Sequence, residues 1–391
     1  WSPTHRKRRV PELPEVETVR AGLAAHVLGR SITRTEVYSP RAVRRQAGGE
    51  AEFAALLTGR TIHAAVRRGK FCWLLLTGPD GHLEDHALLA HLGMSGQLLV
   101  RSRPGGSHRH LRVRLSMDDG GQVWFVDQRT FGYLTVEDLV PTADGGPGGF
   151  AGFDAEPQIP DVLEHAALSV PRLSASPGEP DVGVPGEPGV EAIPPGGRSR
   201  TAQVRRARPA PAAEAEPPLP HPGMAMVQVP PLVPRAVAHI GRDLLDPLLA
   251  PGTPGRAELN RRLRRGRRDI KRALLDQTLT SGIGNIYADE ALWRARVHYQ
   301  RSTDRLPPAT VTAILDAATD VMREALAAGG TSFDALYVNV DGDSGYFERA
   351  LAVYGREGEP CPRCGGRVIR ESFMNRSSYL CRRCQRRPAR G

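Results

Sequence analysis

The 391-residue chain is nearly without lysine: its 53 basic residues include only Lys7, Lys70 and Lys271, and all others are arginine. Arginine keeps its proton in any protein, whereas a lysine ammonium is compact and can lose it. In this background a retained lysine marks a position where arginine fails, which nominates Lys70 and Lys271. Cysteine is also scarce. There are five, four of them in the C-terminal tail, which argues against a disulfide-stapled secreted scaffold. No apolar run approaches the roughly 20 residues of a membrane span. The basic start WSPTHRKRRV leads into acidic residues rather than an apolar signal segment. A cytoplasmic protein with no membrane partner is expected. Negative charge is in deficit, leaving a formal charge of +10 and a pI near 9.8. A polyanionic partner follows, nucleic acid first.

The length allows two or three domains. Residues 11–140 open with a helix pattern, in which Val16, Val19, Leu23 and Val27 recur at helical spacing before Gly29. Short apolar and β-branched runs follow at 71–76, 87–100, 110–117 and 122–127, and DDGG at 118–121 marks a hairpin turn. A β-sandwich is expected there. Between 141 and 234 lie 20 of the chain's 34 prolines and 12 glycines. That density is above the ~25–30% of low-complexity chains, so the segment reads as a disordered insertion. Helical patterns dominate 235–345, with Ile270, Leu274 and Leu275 on one helix and Ile286, Leu292 and Trp293 on another, joined by SGIGN (281–285). The fold class is therefore α+β multidomain, with residues 346–391 as a separate C-terminal module.

That module carries the most specific spacing. Cys361, Cys364, Cys381 and Cys384 form C-x2-C-x16-C-x2-C, the pattern of a four-cysteine zinc site on a hairpin. Four thiolates close the coordination shell, so one structural Zn2+ is expected, with no catalytic role. Cys72 lies in an apolar strand and reads as a buried core thiol.

PELPEV (11–16) poses the remaining question. Pro14 suits a first helical turn, where its missing N–H costs nothing, but Pro11 and Glu12 are left unexplained. Together with RRGK (67–70), HLGMSG (91–96), DQRTFG (127–132), SGIGNIYADEALW (281–293), GYFERALAVYGREGEPC (345–361) and the cysteine pairs, this stretch closely resembles the formamidopyrimidine-DNA glycosylases. The resemblance covers about 11–140 and 235–386. It implies an N-terminal β-sandwich, a helix-two-turns-helix domain at 235–345 and a zinc-ribbon hairpin at 346–391. It also implies a bifunctional glycosylase and abasic-site lyase of base excision repair. The partner is then double-stranded DNA containing oxidised bases or abasic sites, and the enzyme is a monomer associated with the bacterial nucleoid.

Residue by residue, the resemblance makes the amine of Pro11 the nucleophile, Glu12 the proton shuttle and Glu15 a supporting carboxylate. An α-amine, with a pKa of about 8, is partly unprotonated near neutrality. Lys70 and Arg376 would contact phosphate and assist elimination. Met94, Arg129 and Phe131 match the trio that fills the gap left by a flipped nucleotide. His108, Lys271 and Asn285 match phosphate contacts, and residues 331–347 match the loop that covers the flipped base. The first ten residues depart from the family pattern, because they block the Pro11 nitrogen. Val10 is read as a GTG start codon, so that removal of Met exposes Pro11 and residues 1–10 are no part of the mature enzyme. Proteolytic trimming is the other route. Two alternatives remain: an endonuclease VIII-like enzyme for oxidised pyrimidines, and a DNA-binding zinc protein without activity if Pro11 stays blocked.

Overall fold

A computed structural model describes residues 11–152, 228–328 and 350–388. Helix α1 (Leu13–Val27) begins where the Glu15 carboxylate reaches back to accept the Glu12 N–H at 2.8 Å. Pro14 occupies its first turn. The helix serves two cores. Leu13 packs into the helical core, while Val16, Val19, Leu23 and Val27 pack onto the sandwich.

The sandwich has two antiparallel sheets, with α2 (Gly49–Leu57) between its first two strands. One sheet runs in the order β1 (Ile32–Val37), β6 (Leu111–Met117), β7 (Gln122–Asp127), β5 (Gly96–Arg101). The other runs β2 (Thr61–Arg68), β3 (Phe71–Thr77), β4 (Leu83–His91), β8 (Tyr133–Pro141), β9 (Leu232–Pro234). The apolar run 87–100, read as one strand-like stretch, is two strands in different sheets. The chain crosses over at 92–95. It crosses back at 128–132, between β7 and β8. Because His91 pairs with Tyr133 and Gly96 with Asp127, the two crossings lie side by side.

The expected insertion limits need correction. Residues 141–152 and 228–234 are built into the sandwich despite their composition. Leu139, Val140 and Pro141 pair with Pro234, Val233 and Leu232. Phe150 exchanges two backbone hydrogen bonds with Arg67, at 2.8 and 2.9 Å. Val233 is fully buried. Proline is compatible here because β9 is an edge strand, with one side free of ladder partners.

The helical part comprises α3 (Pro254–Arg264), α4 (Ile270–Leu274), α5 (Asn285–Arg294) and α6 (Pro308–Ala327). Its core gathers Leu263, Ile270, Leu274, Tyr287, Leu292, Ile314 and Met322. The C-terminal hairpin pairs β10 (Val368–Phe373) with β11 (Arg376–Cys381), and its Phe373 and Leu380 join that same core.

Replacing 141–234 by a short Gly/Ser bridge removes β9, Phe150 and Val233 together. The melting temperature should fall by about 5 °C or more, read by thermal unfolding against the intact chain. An unchanged midpoint would show that these segments add nothing to the sandwich.

Candidate active site

Glu12 stands where the two cores meet. It is 5% exposed, and its carboxylate accepts the backbone N–H groups of Ile286 (3.1 Å) and Tyr287 (3.4 Å) in the first turn of α5. A helix start offers unpaired N–H groups and a positive dipole end, which suits an anion. The approach is possible because position 284 has no side chain. A Cβ there would lie 2.1 Å from the Glu12 carboxyl carbon. The SGIGN motif is thus fitted to Glu12 as well as to a backbone turn.

Lys70, half-buried after β2, donates to the Ile283 carbonyl at 3.3 Å. Burial lifts the Glu12 carboxyl above its ordinary value; Lys70 opposes that shift and Glu15 adds to it. Burial lowers the Lys70 ammonium below lysine's ordinary value, with Glu12 opposing and the Arg376 guanidinium reinforcing. Glu12, Lys70 and Arg376 therefore share one electrostatic neighbourhood, although 306 residues separate Lys70 from Arg376 in sequence (376 − 70). A carboxyl with a raised pKa and an amine with a lowered one are suited to passing protons near neutrality. Pro11 is buried directly before Glu12, and residues 1–10 lie outside the described residues.

The four thiolates converge. Cys361 and Cys384 sulfurs are 3.9 Å apart, those of Cys364 and Cys381 are 3.4 Å apart, and all four lie within 4.8 Å of one another. Tetrahedral zinc at ~2.3 Å from each sulfur requires about 3.8 Å between sulfurs, so the donor set fits the ion. Cys72 is a buried core thiol, with its pKa pushed up to about 12 by burial.

Lys271 departs from its expected role as a phosphate contact. It is fully buried, and its ammonium donates to Asp289 Oδ1 (2.6 Å), the Ser377 carbonyl (3.0 Å) and Ser378 Oγ (3.1 Å). All three of its protons are engaged. Asp289 also accepts from the Tyr379 N–H at 2.9 Å. The pair ties α4 and α5 to β11, the strand that presents exposed Arg376 at its start. Asn285 belongs to the same seam. Its amide donates to the Ser377 carbonyl at 2.9 Å, while its side-chain oxygen has no partner among the described residues.

Met94 is half-buried in the first sheet crossing, and Arg129 and Phe131 lie in the second, with Phe131 41% exposed. The Arg129 guanidinium lies 5.0 Å from the centre of the Phe131 ring. His108 is exposed in the β5–β6 loop, where its Nδ1 accepts the His110 N–H. The expected base-covering loop, 331–347, falls outside the described residues.

Three buried acids were missed by motif reading. Asp243 pairs with Arg67 at 2.7 Å and accepts the Gly69 N–H at 3.2 Å, fixing the turn that carries Lys70. Arg67 also meets Glu17 of α1 at 2.7 Å. Glu290 accepts three N–H groups, from Ala352, Val353 and Tyr354. Asp127 organises the second sheet crossing. Glu290 and Asp127 stood within quoted motifs, but nothing in their spacing revealed their partners.

Comparison with known proteins agrees with this geometry. Residues 10–134 match the family model for the formamidopyrimidine-DNA glycosylase N-terminal domain. Residues 246–336 match its H2TH domain, and 358–387 match the zinc finger found in FPG and IleRS. A formamidopyrimidine-DNA glycosylase from Kineococcus radiotolerans is 45% identical over 377 residues, covering 96% of this chain and 97% of its own. One from Mycobacteroides abscessus is 45% identical over 379 residues, covering 96% and 98%. Among solved structures, Lactococcus lactis Fpg bound to abasic-site DNA superposes with a TM-score of 0.62 at 23% identity, over 96% of this chain and all of that one.

Gly284→Ala should displace Glu12 while leaving the helix start allowed. A misplacement of about 1 Å costs on the order of 100-fold in rate. Single-turnover base excision should fall by about that factor with little change in melting temperature, and full activity would show that Glu12 position is immaterial. Cys381→Ser, or stripping the metal with a chelator, should weaken duplex binding in step with zinc release while the sandwich stays folded. Unchanged duplex affinity after complete zinc loss would refute that dependence.

Proposed function

The chain belongs to the formamidopyrimidine-DNA glycosylase family, and from this membership we propose that it excises oxidised purines such as 8-oxoguanine through a Schiff base on Pro11. It is a DNA glycosylase of base excision repair. The finer reading is carried by Glu12, buried on the start of α5 beside Lys70 and Arg376.

In this reading the lone pair of a free Pro11 amine attacks C1′ of the flipped nucleotide. The bond from C1′ to the base breaks, and its electron pair leaves with the base, which takes up a proton. Glu12 supplies a proton to the ring oxygen as the sugar opens, which its raised pKa favours. The Pro11 nitrogen sheds the proton it carried into the attack, which balances the one taken up by the base. Its lone pair then forms a cationic iminium with C1′ as the C1′–O4′ bond breaks toward the protonated ring oxygen. That iminium acidifies the C2′ proton. Its loss expels the 3′ phosphate by breaking the C3′–O bond, and a second elimination expels the 5′ phosphate. Water then hydrolyses the iminium and frees Pro11. Lys70 and Arg376 stabilise the phosphates as negative charge develops on them. Zinc, held by Cys361, Cys364, Cys381 and Cys384, contributes folding energy to the hairpin that carries Arg376. The alkaline limb of the pH profile should therefore lie below that of a free lysine, as Glu12 and Lys70 lose protons they need, and the acid limb should follow protonation of the Pro11 amine.

The full names of the relatives support the purine branch over endonuclease VIII-like specificity. Whether the 391-residue form is active depends on its N-terminus, because an imide nitrogen has no available lone pair.

A chain translated from Met-Pro11 should be processed to free Pro11 and form a borohydride-trappable adduct with 8-oxoguanine DNA. The full sequence, verified intact by mass spectrometry, should form none. Lys70→Arg in the free-Pro11 form should still trap but turn over slowly. Equal trapping by the intact longer form would move the nucleophile elsewhere, with Lys70 the first candidate. Thymine glycol duplexes run in parallel separate the pyrimidine alternative.

A further inference from the structure

The two sheet crossings that carry Met94, Arg129 and Phe131 are held together by a carboxylate to which no motif gives a role. Asp127 is fully buried at the end of β7. Its Oδ1 accepts the Ser95 hydroxyl at 2.5 Å and the Arg129 N–H at 3.0 Å; its Oδ2 accepts the Gly132 N–H at 2.8 Å. Ser95 Oγ in turn accepts the Arg129 N–H at 3.2 Å. One side chain thereby grips the residue after Met94 and both ends of the Arg129–Phe131 segment. No arginine, lysine or histidine forms an ion pair with Asp127 among the described residues. A buried carboxylate without a cation is costly unless fully hydrogen-bonded, and here its hydrogen bonds are made to these two loops.

Further contacts close the assembly. Gly93 lies at φ +62°, so close to the other crossing that a Cβ would meet Gly132 N at 2.7 Å and the Phe131 carbonyl carbon at 2.8 Å. From the opposite side, Arg44 donates to the Phe131 and Gly132 carbonyls at 2.9 and 2.6 Å. Thr130 is held at φ +55° between Arg129 and Phe131. For a β-branched residue that conformation is strained and persists only where its surroundings impose it.

We propose that Asp127 is a positioning residue that welds the two crossings into one pre-assembled wedge, so that Met94, Arg129 and Phe131 enter DNA as a single rigid body. Ordering cost is met when the protein folds rather than when the nucleotide leaves the stack. The proposal rests on the reading that these three residues fill the gap, and it adds the device that sets their relative placement.

The test uses the free-Pro11 enzyme with Asp127→Asn, Ser95→Ala and Met94→Ala. Three quantities are measured: single-turnover excision of 8-oxoguanine opposite cytosine in a duplex, cleavage at an abasic site in a single-stranded oligonucleotide, and stopped-flow fluorescence of 2-aminopurine beside the lesion. Asn keeps the shape of Asp127 but turns one acceptor into a donor facing an N–H or hydroxyl. Duplex excision by Asp127→Asn should drop about tenfold or more, with a slower fluorescence rise. Single-strand cleavage, which needs no wedge, should stay close to wild type. Ser95→Ala should move the same way by less, and it carries the test if Asp127→Asn does not fold. Combining Asp127→Asn with Met94→Ala should cost less than the sum of the two. If Met94→Ala leaves duplex excision unchanged, the gap-filling reading fails. If Met94→Ala slows excision and neither Asp127→Asn nor Ser95→Ala does, that reading stands and the proposal is overturned. Equal losses on both substrates would make Asp127 a general stability residue and also overturn it.

Discussion

The seat of Glu12 on the first turn of α5 constrains almost everything else. A carboxylate at 5% exposure needs donors, and two backbone N–H groups of a helix start supply them without a mobile side chain. That arrangement joins the helix that begins the sandwich to a helix that starts 272 residues later (285 − 13). It dictates an absent side chain at 284 and the sharing of α1 between two cores, Leu13 in one and Val16 in the other. The site is therefore a property of the junction between parts, and neither part contains it alone.

Helix α5 is the hub of that junction. Its start receives Glu12. One turn on, Asp289 takes Lys271 and the hairpin backbone, and the adjacent Glu290 takes the turn at 352–354. Buried ion pairs of this kind add little net stability over apolar packing, but breaking one strands an uncompensated charge. Arg67 with Glu17 and Asp243 holds the Lys70 turn in the same manner. These pairs fix relative placement. Their directional bonds tolerate few orientations, and the apolar core around them tolerates many.

What could be read from the chain followed from how local each signal is. The cysteine spacing, the α1 periodicity and the DDGG hairpin turn depend on neighbours a few residues away, and each appears where expected. The lysine bias singled out two special residues but not what they do. Lys70 stands beside Glu12. Lys271 is spent on Asp289, because an ammonium with three acceptors around it has no donor left for phosphate. Asp243 was invisible because its partner lies 176 residues earlier. Pairing at such separation is set by sheet register and domain packing, which no local pattern encodes. Composition misled at 141–152 and 228–234 for a related reason. Proline and glycine density reports the cost of local order, whereas these residues are ordered by strands already in place.

Those same edges explain how the sandwich accommodates a long insertion. The chain leaves from β8 and returns on β9, its direct ladder neighbour, so the two ends are held side by side by the sheet itself. Beyond the ladder, Thr142 donates to the Pro231 carbonyl at 2.9 Å and Gly148 to the Pro230 carbonyl at 2.8 Å, which extends the clamp toward the point of departure. Closing a loop costs entropy only as the logarithm of its length, with about 0.6 kcal/mol for each doubling. Once a connection between adjacent antiparallel strands is longer than a turn, further residues add little to that cost. Near the point of departure the chain is also tied to the turn that carries Lys70. Arg67, whose backbone pairs with Phe150 near the exit, faces Asp243 and Glu17 with a side chain that is fully buried and doubly paired. Arg67, three residues before Lys70, is thereby fixed from both sides, by the backbone of Phe150 and by two buried carboxylates.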